Sequence, residues 1–221
     1  MSKTTYVIIA CGIDKGMKSF GSKGLMTFHN KKLLDHQISW IKKKPKNTEI
    51  IIVANFDYFR LKRSFGQTVK VVDSASYNPI YAGCNEARNG DICFIDYGCL
   101  FDPALIQKVD NFKNSTIITT DKSADLNVGC IVHQDQIEHM FLDLPQDKFC
   151  NAFFLSENDT NKIKQEPFYQ RHNLLYFEII NKLVDTGSVI SRSKIDNKDF
   201  IYFNNMRQKN VISRFIKKHY N

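Results

Sequence analysis

The sequence has no apolar run long enough to cross a bilayer, and its opening stretch MSKTTYVIIACG carries too short a run for a secretory leader. No membrane partner is expected, and the chain is expected to be soluble and cytoplasmic. There is no C-x-x-C pair, and His29, His36, His133 and His139 fall at no spacing that assembles a metal site. The six cysteines (Cys11, Cys84, Cys93, Cys99, Cys130 and Cys150) sit mostly inside apolar stretches such as DICFID and NVGCIV. They are expected to be reduced core residues, as in a reducing compartment. Internal repeats and low-complexity linkers are missing too, so 221 residues predict one compact domain, 1–221. Negative charge is scarce: 23 acidic against 31 basic residues leave a net charge of +8, which favours anionic partners. The aromatics fall at core periodicities rather than as an exposed ladder among basic residues, which argues against nucleic acid.

What is present is an alternation of strand and helix patterns. TYVIIAC, EIIIVAN, VKVVD, DICFID and STIITT are short, continuous runs rich in Val and Ile, as expected of strands buried on both faces. Leu34, Ile38 and Ile41 recur at helical spacing, and Asn78-Pro79 and Asp102-Pro103 each supply an N-cap followed by proline at the first helical position. The pattern predicts an α/β fold with a doubly wound, mostly parallel sheet and helices on both faces, which binds ligands beyond the carboxyl ends of its strands. Further on, LNVGCIVH predicts a strand, QIEHMFLDL a short helix, LLYFEIINKLVDTG a long amphipathic helix ending near Gly187, and VISRFIKKHY a terminal helix. The polar stretch 156–167 is expected to be a lid.

After the first strand comes a loop with Gly12, Gly16 and Gly21 interleaved with Lys15, Lys18 and Lys23. Glycines expose backbone N–H groups and ammonium groups neutralise charge, which are the needs of a polyphosphate. The spacing is neither that of a P-loop nor that of a dinucleotide fingerprint. A basic, solvated loop with turn glycines is the alternative.

The stretch ACGIDKGMKSFGSKGLMTFHNKKLLDHQISWI resembles the opening of the sugar-phosphate nucleotidyltransferases, on the nucleotide-diphospho-sugar transferase fold. That family follows its first strand with a G-x-G-x-R-M turn, then P-K, an apolar residue and a G-K-P-L-L-like helix start. Ala10, Gly12, Met17, Lys23, Leu25, Leu33 and Leu34 occupy matching positions, and NPIYAGCNEARNGDICFIDYGCLFDPALI extends the resemblance. The second glycine falls at Asp14, the arginine at Gly16, the proline at Ser22 and the metal-binding aspartate at Gly98, leaving Asp96 two positions earlier. Near the C-terminus, IYFNN places Asn204 or Asn205 where the family has a second carboxylate.

The resemblance implies an enzyme that transfers a nucleotidyl group from a nucleoside triphosphate to a sugar phosphate or related phosphoester, releasing pyrophosphate. It implies a nucleotide-binding half, 1–125, and an acceptor-binding half, 126–221. Lys23 and Asp96 would be catalytic, and Ala10, Cys11, Gly12, Lys15, Gly16 and Lys18 would bind the nucleotide. Lys164 and Arg171, in KQEPFYQRHN, would bind the phosphorylated acceptor, while Asp96 and Asn204 would hold Mg2+. Two other readings stand beside it: a catalytically impaired nucleotide-binding or scaffold relative, and a glycosyltransferase, for whose Asp-x-Asp-like motif FIDYG supplies one acid.

Overall fold

The computed structural model describes residues 4–12, 17, 21–43, 48–88, 90–121 and 127–220. Strand β1 (Thr5–Ala10) leads through the small hairpin β2 (Thr27–Phe28) and β3 (Lys31–Lys32) to helix α1 (Leu33–Ile41). There follow β4 (Ile50–Ala54), α2 (Tyr58–Phe65), β5 (Lys70–Asp73), α3 (Pro79–Glu86), β6 (Ile92–Asp96), β7 (Cys99–Phe101), α4 (Pro103–Val109) and β8 (Thr116–Thr120). The rest comprises β9 (Val128–His133), β10 (Gln136–Leu142), β11 (Lys148–Leu155), α5 (Glu157–Gln165), α6 (Tyr176–Asp185), β12 (Ser191–Lys194), β13 (Phe200–Tyr202) and α7 (Lys209–His219).

Nine strands form one sheet in the order β5-β4-β1-β6-β11-β8-β12-β10-β9. Strands β5, β4, β1 and β6 run parallel, β11 is antiparallel to both β6 and β8, and β12 pairs parallel with β8. Every residue of β1, β4 and β6 is buried, the burial that their continuous apolar runs predict. Alternation along β1 sorts the two cores. Tyr6, Ile8 and Ala10 pack with Leu34, Ile38 and Ile41 of α1 and Leu61 of α2. Val7 and Ile9 pack with Ile80 of α3, Ile163 of α5 and Ile179 and Leu183 of α6. A third cluster joins Met17, Phe28, Leu33, Leu100 and Phe203 to Ile212 and Ile216 of α7, so the terminal helix braces the chain beside β7.

Both proline-led helices start as their caps predict: Asn78 accepts from the Ile80 N–H at 2.9 Å and Asp102 from the Ala104 N–H at 2.8 Å. QIEHMFLDL, expected to be a helix, is strand β10. It follows a two-residue turn at Gln134 and Asp135, both with positive φ. A register shift between Ile137 and His139 lets Ile137 and Met140, three apart, both face inward, which mimics helical periodicity in the sequence. The stretch expected to be a lid, 156–167, holds α5, whose Asp159, Thr160 and Ile163 are buried and which packs against α3. Among the described residues, no helix is long and apolar enough to cross a membrane.

Candidate functional site

Strand β1 has β4 on one side and β6 on the other, and the chain leaves β1 toward β4 and returns from β5 to β6. This reversal falls at the carboxyl ends of β1 and β6, the position where open α/β sheets take ligands in a crevice. Ala10, buried, ends β1 at its rim. Cys11 follows: its thiol donates to the Val53 carbonyl at 3.5 Å and lies 3.2 Å from Ser74 Oγ. Burial pushes its pKa up to about 12, leaving a neutral and unreactive thiol. Gly12 turns the chain with φ +80°, a conformation that disfavours other residues. Its N–H donates to Asn55 Oδ1 at 3.0 Å, and its carbonyl accepts from the Tyr97 hydroxyl at 3.2 Å. Lys15, Gly16 and Lys18 of the expected phosphate loop, like Asp14, lie outside the described residues.

The loop returns at Ser22, whose N–H donates to the buried Asp57 carboxylate at 2.7 Å, and a 3-10 turn over Lys23–Leu25 then drives Lys23 inward. Lys23 is only 1% exposed. Its ammonium lies 3.3 Å from Asp96 Oδ1 and donates to the Tyr202 hydroxyl at 3.0 Å. The rings of Tyr97 and Tyr202 stand 4.4 Å and 4.5 Å from it, so two π-faces add to the carboxylate in stabilising the cation. Asp96 is the last residue of β6; the chain then turns, and the Gly98 N–H donates back to Asp96 Oδ1 at 2.7 Å. From α1, Gln37 Nε2 donates to the Cys99 carbonyl at 2.6 Å, fixing this turn from below. Position 98 therefore lies beyond the strand, and its spacing from Asp96 is not that of two residues sharing a strand face.

The sequence-predicted Lys23 and Asp96 are thus brought into contact, and Gly12 joins them through Tyr97. Half-buried Asn204 follows Phe203, whose N–H donates to the Gly98 carbonyl at 2.9 Å; its own N–H donates to Gln208 Oε1 at 3.1 Å. Lys164 and Arg171 stand apart, in the helical layer on the other face of the sheet. Lys164 is half-buried on α5, where its charge bears on the Cys84 thiol of α3. Arg171 is exposed, with its guanidinium 5.1 Å from the Phe168 ring centroid. Its segment is tied to α3, because Asn78 Nδ2 donates to the Leu174 carbonyl at 2.9 Å.

The sequence reading missed the cage tyrosines, Tyr97 and Tyr202, although both stand in the motifs FIDYG and IYFNN. Their signal is adjacency to the acid and to the asparagine pair. It also missed Tyr176, the first residue of α6. Burial raises the pKa of its phenol well above the usual range, and the charge of Asp96 acts in the same direction. Tyr176 packs against the core on the α6 side of the sheet with its hydroxyl neutral.

Among the described residues, the donor set does not fit a magnesium ion. Mg2+ demands near-octahedral oxygen ligands and keeps several waters. Here the carboxylate oxygen of Asp96 already takes an N–H and faces an ammonium, and a β-carbon at position 98 would lie 2.6 Å from Lys23 Nζ and 2.8 Å from the Phe203 carbonyl. Lys23 fills the space into which the side chain of an aspartate at 98 would project. Among the described residues, no group of three or more His, Cys, Asp or Glu is placed to hold a metal.

No family model and no curated protein matches the sequence. Solved structures do match in fold. The inositol-1-phosphate CTP transferase from T. maritima aligns with a TM-score of 0.77 at 12% identity, over 99% of this chain and 96% of that one. The CTP:phosphocholine cytidylyltransferase from Streptococcus pneumoniae aligns with a TM-score of 0.71 at 16% identity, over 97% and 99%. The nucleoside-diphosphate-sugar pyrophosphorylase from Vibrio cholerae RC9 aligns with a TM-score of 0.69 at 12% identity, over 94% and 99%. The chain has the nucleotide-diphospho-sugar transferase fold along nearly its whole length.

Proposed function

We propose that the protein binds a nucleoside triphosphate in the crevice above β1 and β6 and transfers its nucleotidyl group to a phosphorylated small molecule, releasing pyrophosphate. The observation that carries this reading is the meeting of Lys23 and Asp96, 3.3 Å apart, where the strand order reverses beside a glycine turn. The fold shared with enzymes named for CTP and sugar nucleotides supports it.

In the reaction, a phosphate oxygen of the acceptor attacks the α-phosphorus, a new P–O bond forms, the bond to the β-phosphate oxygen breaks, and pyrophosphate carries the displaced electron pair away. Such a reaction needs positioning and charge stabilisation more than covalent chemistry. Ala10, Cys11 and Gly12 offer the nucleoside their backbone, and Lys15, Gly16 and Lys18 offer the phosphates charge and N–H groups. Lys23 neutralises charge from beneath the crevice, where a low dielectric strengthens its field, and Asp96 orients it. Lys164 and Arg171, apart from the reacting atoms, add positive charge that draws the anionic acceptor toward the crevice at long range. No step is routed through magnesium, because the residues around Asp96 do not suit it.

The test is pyrophosphate release from CTP, UTP, GTP, ATP or dTTP in the presence of sugar 1-phosphates, inositol 1-phosphate or phosphocholine. One productive pair is expected, and failure of every triphosphate to bind would sink the reading. The closed setting of Lys23, 1% exposed against Gly98, favours one second reading, a relative that binds nucleotide without turnover. Binding with no pyrophosphate from any pair would select it.

A further inference from the structure

Buried ammonium groups are costly, and this one is surrounded on several sides. Lys23 meets a carboxylate oxygen at 3.3 Å, a phenol oxygen at 3.0 Å and two aromatic faces at 4.4 Å and 4.5 Å. Aromatic faces and a phenol suit an ammonium and do not replace the oxygen shell of a small divalent ion. The contacts to Lys23, which stands on the 3-10 turn after the loop, come from three other parts of the chain: the end of β6, the turn that follows it, and β13. Glycine at 98 is what admits the ammonium. Its φ lies outside the left-handed region, so the backbone does not demand glycine there; the nearness of Lys23 Nζ, Lys23 Cε and the Phe203 carbonyl, at 2.6, 2.9 and 2.8 Å from a built β-carbon, does.

We infer that the Lys23 ammonium occupies the cation seat of this site, so that the protein binds a nucleoside triphosphate without a divalent metal ion. The inference rests on the nucleotide-binding reading above and adds to it which cation faces the phosphates. A divalent ion placed on Asp96 would stand against the ammonium, and among the described residues positions 98 and 204, a glycine and an asparagine, bring no second carboxylate to offset the repulsion. With Lys23 seated beside Asp96, the positive charge comes from the chain itself. The free triphosphate is then the bound form, and chelating magnesium leaves it intact.

Isothermal titration of the full chain with CTP, UTP, GTP, ATP and dTTP, once in excess EDTA and once in excess MgCl2, tests this. The expected result is that at least one triphosphate binds with dissociation constants within about threefold in the two buffers. Binding that weakens tenfold or more in EDTA would overturn the inference and leave the nucleotide reading standing. No binding in either buffer would remove both. A second arm uses Lys23→Met, checked for folding by circular dichroism, and the double variant Lys23→Met with Gly98→Asp. The single variant is expected to lose about tenfold or more in affinity in EDTA, and the double variant to regain binding in magnesium only. Unchanged affinity of folded Lys23→Met in EDTA would also overturn the inference. Should these variants fail to fold, the wild-type comparison decides alone.

Discussion

Two buried acids, at opposite ends of the sheet, are satisfied in different ways. Asp159, 3% exposed on α5 near the amino end of β8, accepts from Ser115 Oγ at 2.5 Å, Ser156 Oγ at 3.3 Å and Ser188 Oγ at 2.5 Å, with Lys162 at 3.6 Å. Hydroxyls from three separate segments converge on it, so it pins β8, α5 and the turn after α6 together. Asp96, 7% exposed at the carboxyl end of β6, instead faces a lysine held by aromatic rings beside a glycine turn. Hydroxyls surrounding a carboxylate make a structural joint. A caged cation where the strand order reverses adds a fixed positive charge to a place where ligands bind.

Breaking each acid in turn sharpens the contrast. Asp96→Ala leaves the Lys23 charge buried without its counter-ion and should cost about 3–5 kcal/mol of stability together with nucleotide binding. Chemical denaturation and titration measure the two losses. Lys23→Met combined with Asp96→Leu should recover most of that stability, because both charges leave together, while binding stays lost; recovered binding would show that the pair serves structure alone. Asp159→Ala strands three hydroxyls, at a cost of about 2–3 kcal/mol, and should lower the melting temperature with nucleotide affinity in the folded protein unchanged. A fall in affinity of tenfold or more for this variant would erase the distinction between the two ends. Tyr202→Phe removes one hydrogen bond to Lys23 while keeping the ring, and should cost about 1 kcal/mol.

Cys11 gives the mildest effect. With its folded pKa at about 12, above the 9.0 of a free thiol, its contribution to stability is full below pH 9 and falls as pH rises toward 12. Alkylation of the native protein at pH 8 should accordingly be slow at this residue, and rapid labelling would contradict its burial.

What could be read from the sequence was local or continuous. Asn78-Pro79 and Asp102-Pro103 announce α3 and α4 because an N-cap and a proline act within three residues, and the apolar runs of β1, β4 and β6 announce strands buried on both faces. Strand β10 escaped because its bulge gives Ile137 and Met140 a helical spacing. Lys23 and Asp96 were legible from their order along the chain. The cage was not, because Tyr97 and Tyr202 have the periodicity of core aromatics and meet only when β13 pairs with β7. Tyr176 needed α6 to fold so that its phenol comes within electrostatic reach of Asp96, and no local pattern encodes that approach. The filled seat at Gly98 was hidden for the same reason: a glycine in the sequence does not say which side chain occupies its space.

The most direct test of the site is an amide-resolved NMR titration of the protein with the tightest-binding nucleoside triphosphate. The account predicts the largest shifts at Gly12, Tyr97 and Gly98, around the Lys23 cage, with Asp159 and its serines unmoved. Shifts centred on Asp159 or on the β9–β10 hairpin, with the amides of Gly12 and Gly98 unchanged, would contradict it.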